Sequence, residues 1–119
     1  KNDTLYEEIM CEDADYVFVA YGSCARIAHK AVQLAREKGI KVGLLRPITL
    51  FPFPTQPIKA LAQRVKGILT VEMSAGQMVY DVKLASEFKC PVEYFGRYGG
   101  IIPTPQEVVE ALENKLIKG

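Results

Sequence analysis

The sequence predicts an α/β domain in three layers, with a mainly parallel sheet of four strands between two layers of helices. Three observations predict it. Short apolar runs of strand length alternate with helical patterns of about 10–15 residues, giving βαβαβαβα. The runs are apolar throughout rather than alternating, as strands buried on both faces are. Helix-start chemistry follows directly after the strands, at Gly22-Ser23, Ser74 and Thr104. A fifth, antiparallel edge strand has room in such a sheet but no place in the pattern.

Residues 1–14 are polar and acidic around Leu5, Tyr6, Ile9 and Met10, and read as a linker or short helix arriving from an upstream domain. The domain itself is expected over residues 15–119. Residues 16–21 (YVFVAY) form the first strand, ended by the turn at Gly22. Ser23 is a good N-cap for a helix over residues 25–38. On that helix Ala25, Ile27, Ala28, Ala31, Val32, Leu34 and Ala35 share the inward half. Arg26, His29, Lys30, Gln33, Arg36 and Glu37 share the other, and Gly39 closes the helix.

Residues 41–45 are the second strand, ended by Arg46-Pro47. Residues 47–57 hold four of the seven prolines, a rigid loop with Phe51 and Phe53 as anchors. A helix over about residues 55–65 turns Ile58, Leu61, Ala62 and Val65 inward. Residues 67–73 form the third strand, and residues 74–88 the third helix. Ser74 and Gln77 have capping-box spacing, and Met78, Val79, Val82, Leu84 and Ala85 are available for burial. Residues 91–95 are the fourth strand, followed by the glycine-rich loop GRYGGIIP. Thr104-Pro105-Gln106-Glu107 is a capping box with Pro at the first helical position, and Val108, Ala111, Leu112 and Leu116 form the inward stripe behind it.

Composition narrows the function classes. The chain has 119 residues, 49% hydrophobic and 24% charged, which fits one globular domain. A net charge of +1 gives no reason to expect nucleic acid or an acidic membrane surface. No apolar run approaches a membrane span, and no signal peptide is visible. Cys11, Cys24 and Cys90 are odd in number and include no CxxC pair, so reduced thiols of a cytoplasmic protein are the simplest reading. The sequence opens at Lys1 rather than Met, as a processed chain or a piece of a longer one would.

Right-handed crossovers bring the carboxyl ends of the parallel strands to one edge, where sheets of this class hold ligands or partners. Ser23, Arg26, Arg46, Glu72, Gln77 and Arg97 collect there as interface or anion contacts. The Gly22–Arg26 turn is either an ordinary strand-to-helix turn or an anion site. Arg46 and Glu72 read as an ion pair that fixes loop geometry, or as contacts to a neighbouring domain. Cys24 lies in the first helical turn, where the dipole would lower a thiol pKa, and His29 is the chain's one histidine. The aromatics Phe51, Phe53, Tyr94, Phe95 and Tyr98 either anchor an interface or cap the core. None of these groups makes a convincing active site.

Four phrases in order, VAYGSCARIAHKAV, KVGLLRPITLFPFP, TVEMSAGQMVYDV and GRYGGIIPTPQEVVEAL, resemble the 2-oxoacid:ferredoxin oxidoreductases. The likeness is to the C-terminal domain of the α subunit in the 2-ketoisovalerate type, a domain similar to the transketolase C-terminal domain. It covers about residues 13–112. The resemblance implies strand order 2-1-3-4 and an enzyme that oxidatively decarboxylates a 2-oxo acid to acyl-CoA and reduces ferredoxin. It implies thiamine diphosphate, Mg²⁺, an iron–sulfur cluster and CoA for the intact enzyme, and none of them on this domain. The isolated chain is then an assembly domain without catalysis of its own. Its partners are the other domains and subunits, and ferredoxin through the complex, with no nucleic acid and no membrane. A small-molecule module with CoA or another anion at the Ser23 helix terminus is the alternative, and a thiol enzyme using Cys24 a third.

Overall fold

The computed structural model describes residues 5–48, 53–72, 77–87, 89–96 and 103–118. Strands β1 (Tyr6–Ile9), β2 (Tyr16–Val19), β3 (Val42–Pro47), β4 (Gly67–Glu72) and β5 (Val92–Gly96) make one sheet. Its order is β1-β3-β2-β4-β5. The pairs β2–β3, β2–β4 and β4–β5 are parallel, which is the order the resemblance implied. Helices α1 (Ser23–Glu37), α2 (Thr55–Ala62), α3 (Gln77–Ser86) and α4 (Pro105–Leu112) follow β2, β3, β4 and β5. A π-helical turn, Glu113–Ile117, continues α4.

The sheet separates two apolar layers. Phe18, Leu44, Leu69 and Val71 pack under α1 and α4, against Ala28, Val32, Val108 and Leu112. Val17, Val19, Leu45 and Ile68 face the other way, against Ile58, Leu61, Met78 and Val82 of α2 and α3. Both faces of β4 are buried, Thr70 and Glu72 included, as a strand held between two helical layers requires. Leu84 departs from expectation: it is 70% exposed, on the outer side of α3 from Val82 and Ala85.

The opening segment is the main correction. It is neither linker nor helix from 6 to 9, because Tyr6–Ile9 pairs antiparallel with β3. The strand is solvent-exposed apart from the half-buried Ile9, so it carries no apolar signal. Its partner lies more than thirty residues away, in the register Glu7↔Arg46. After it the chain passes so close to Gly43 that a Cβ there would stand 2.7 Å from the Met10 carbonyl oxygen.

Two of the helix ends follow their local chemistry closely, and the start of α1 does not. Gly39 takes φ +88°, and the Gly39 and Ile40 N–H groups donate to the Arg36 and Ala35 carbonyls at 3.0 and 2.9 Å. That is the paired hydrogen bonding of a Schellman ending. At α4 the Thr104 hydroxyl accepts from Glu107 N–H at 3.1 Å, while the Glu107 carboxylate accepts from Thr104 N–H at 2.9 Å. Ser23 is not the cap of α1. It is the first helical residue, and Gly22 occupies the cap position at φ 64° with no side-chain hydrogen bond to it.

Candidate functional site

Glu72 ends β4 with 3% of its surface exposed. Its carboxylate Oε1 accepts from Met78 N–H at 2.9 Å, and Oε2 accepts from Val79 N–H at 3.0 Å. A buried strand thus terminates in an anion that satisfies first-turn amides of the next helix, where the backbone dipole favours negative charge. The expected Glu72–Arg46 ion pair does not form, because β2 lies between their strands. Sequence reasoning missed this role. The available signal was an acidic residue closing a buried strand a few residues before a helix start. The Ser74 half of the expected capping box lies outside the described residues, and Gln77 is the first residue of α3.

Gly96 pairs with Glu72 across β4 and β5. A Cβ on Gly96 would collide with the Glu72 carbonyl oxygen and the Tyr94 hydroxyl. This close approach is why β5 ends on glycine. Arg97, Phe51 and Tyr98 lie outside the described residues, while Phe53, Tyr94 and Phe95 are half-buried.

Arg26 and Arg46 do come together. They line one cleft of about 350 Å³ with Glu7, Ile9, Ala25, His29 and Leu44, between α1 and the β1–β3 edge. Ile9 and Leu44 supply the apolar lining. Arg46 Nη1 meets Glu7 Oε1 at 2.8 Å across the two strands. Glu7 belongs to the segment that carried no signal, so this pair was not foreseeable. A cleft with two guanidinium groups, an imidazole and one carboxylate can receive a carboxylate or a phosphate.

Cys24 is set against the role of a nucleophile by its surroundings. It is 4% exposed, and burial, with the Glu72 carboxylate adding to it, pushes its thiol up. That overrides the lowering expected from the helix dipole. His29 is exposed.

Against known proteins, the family described as pyruvate:ferredoxin oxidoreductase core domain II matches residues 14–108. The chain belongs to that family. Over 100 residues this core domain II is 54% identical to ketoisovalerate oxidoreductase subunit VorB of Methanothermobacter marburgensis, covering 84% of the chain and 28% of VorB. It thus spans under a third of that relative's length. It superposes on the 2-oxoglutarate:ferredoxin oxidoreductase of Magnetococcus marinus with TM-score 0.78 at 22% identity, covering 98% of this chain and 20% of the other. A split-gene transketolase, solved as an inactive β4 tetramer, gives TM-score 0.79 at 20% identity, covering 93% and 41%. These two likenesses establish the transketolase-like fold.

Among the described residues, no three His, Cys, Asp or Glu side chains stand together as a metal site. Cys24 and Cys11 belong to opposite apolar layers, and Cys11 Sγ donates to the Leu44 carbonyl at 3.4 Å. Two thiols in opposite layers cannot ligate one iron–sulfur cluster together. Among the described residues no helix is long and apolar enough to cross a membrane.

Proposed function

We propose that this chain is the supporting, assembly domain of a thiamine-diphosphate-dependent 2-oxoacid:ferredoxin oxidoreductase. That enzyme oxidatively decarboxylates a 2-oxo acid to acyl-CoA and passes the electrons to ferredoxin. The 54% identity to a ketoisovalerate oxidoreductase subunit favours 2-ketoisovalerate as the acid. The observation that carries the reading is how the strand-end groups are engaged. Glu72 holds the amides of α3, Arg46 holds Glu7, and Cys24 is buried, while the relative is more than three times longer than the matched stretch. Thiamine diphosphate, Mg²⁺, the cluster and CoA then belong to other parts of the enzyme. The three free thiols agree with a cytoplasmic setting.

Calorimetric titration tests this. The domain should bind the remaining subunits of its complex and give no heat with thiamine diphosphate or CoA titrated separately. Cofactor binding to the domain alone would reject the reading. A second reading, an anion or CoA-phosphate site near the Ser23 helix terminus, draws support from the shared cleft of Arg26 and Arg46. It requires saturable shifts of the Ser23 and Arg26 amide resonances on adding CoA.

A further inference from the structure

Among the described residues, eight large apolar side chains are exposed, and the backbones of four of them meet at one end of β1, β3 and β2. These are Leu5 (52% exposed), Tyr6 (40%), Tyr21 (41%) and Ile48 (51%). Their backbones lie side by side, with Leu5 and Ile48 each two residues from Glu7 and Arg46 on the cleft face and Tyr6, one residue over, on the opposite face. Ile48 N–H donates to the Leu5 carbonyl at 2.9 Å, and Tyr6 is the register partner of Pro47. Ala20 N–H donates to the Leu45 carbonyl at 3.3 Å, so Tyr21 leaves β2 beside the end of β3. The three strands involved, β1, β3 and β2, are consecutive in the sheet. Arg46, which lines the Arg26–His29 cleft, is two residues from Ile48, so the cationic cleft borders the apolar corner.

We propose that this corner is a protein-docking surface whose occupant is an apolar segment bearing carboxylate side chains, supplied by another domain or subunit of the same enzyme. The inference rests on the assembly reading above and locates the surface that performs it. Charge complementarity selects the occupant. Among the described residues, Arg26 and Arg46 share the cleft with one carboxylate, Glu7, and the Arg46–Glu7 pair is about half exposed on both sides. An incoming carboxylate can therefore take a place on Arg46 or Arg26 without breaking a buried pair. A second copy docking through the same corner would set these cations against their own kind. A small anion alone would leave the apolar corner uncovered. Tyr80 and Leu84 of α3, 65% and 70% exposed one turn apart, form a rival apolar face, with Lys83 beside them and no cleft that gathers two guanidinium groups among the described residues.

The test uses the full-length subunit assembled with its partner subunits. Three variants are compared after thermal unfolding has shown each to be folded: Leu5→Ser with Ile48→Ser, Arg46→Glu, and Tyr80→Ser with Leu84→Ser. The corner double variant should weaken association about thirtyfold and the α3 variant less than about threefold. Arg46→Glu should slow association and flatten its salt dependence. A photo-crosslinker at Ile48 should capture a partner peptide containing Asp or Glu. Full association by the corner variants, with loss in the α3 variant, would overturn the inference and leave the assembly reading standing. Crosslinks to a second copy would also overturn it, as would full association by the corner variants together with inorganic phosphate shifting the Arg26 and Arg46 resonances. Deleting the whole domain is the separate control: assembly that survives it refutes the assembly reading itself.

Discussion

Replacing Glu72 is the sharpest test of how this edge is built. Glu72→Ala removes both acceptors of the Met78 and Val79 amides, which stand at 2.9 and 3.0 Å from its oxygens. Hydrogen bonds to a charged group contribute roughly 1.5–3 kcal/mol each, and a carboxylate at a helix N-terminus adds about 0.5 kcal/mol or more. Water entering the vacated space restores part of this, as does the lifted desolvation of the carboxylate, leaving a net loss of about 3 kcal/mol. Glu72→Gln keeps the shape and one acceptor but turns an amide NH₂ toward the other N–H, so about 1.5 kcal/mol is expected. For a domain of this size 3 kcal/mol lowers the melting temperature by roughly 10 °C. Urea unfolding followed by far-UV circular dichroism should give a lower midpoint at unchanged slope, ordered wild type, Gln, Ala. Hydrogen exchange should quicken first at the Met78 and Val79 amides. A Glu72→Ala protein within about 0.5 kcal/mol of wild type, with those amides still protected, would refute the capping role.

Four further outcomes follow from particular contacts. Gly96→Ala forces a Cβ into the Glu72 carbonyl and the Tyr94 hydroxyl and should cost about 2–3 kcal/mol by chemical denaturation. Thr104→Ala opens the capping box of α4 and should cost about 1 kcal/mol, with exchange faster in its first turn. Burial, with Glu8 adding to it, pushes the Cys11 thiol from 9.0 to about 11. A pKa raised by folding contributes stability below the unfolded value and loses it as pH rises, so wild type should lose stability relative to Cys11→Ala between about pH 9 and 11. The Arg36 guanidinium hydrogen-bonded to Asp13 holds that carboxyl below its ordinary range. Stability from Asp13 is therefore present above the unfolded carboxyl pKa, and the gap between wild type and Asp13→Asn should close as pH falls below about 4.

The corner and the Glu72 cap divide the strand-end edge between two tasks. On the β4–β5 side the polar groups turn inward and fix the chain: Glu72 grips α3, and Thr70 Oγ1 donates to the Glu93 carbonyl at 3.1 Å. On the β1–β3 side apolar and cationic groups remain accessible.

The parallel core was determined by sequence alone. The strand-length apolar runs around Val17–Val19 and Ile68–Val71, the second interrupted by Thr70, are buried between two helical layers, and that burial is local in its signal. The Gly39 ending and the Thr104–Glu107 box were likewise legible, since a cap depends on residues within one turn of it. Tertiary structure alone decided the rest. Strand β1 has too little apolar pattern to announce itself and exists because β3 offers an unpaired edge. Glu72 signalled its role only by standing between a buried strand and a helix start, since its partners are backbone amides that any sequence would present. Arg46 found Glu7 rather than Glu72 because strand order, not distance along the chain, sets which side chains meet. Local propensity and periodicity are written residue by residue, whereas non-local pairing is chosen only when the whole sheet closes.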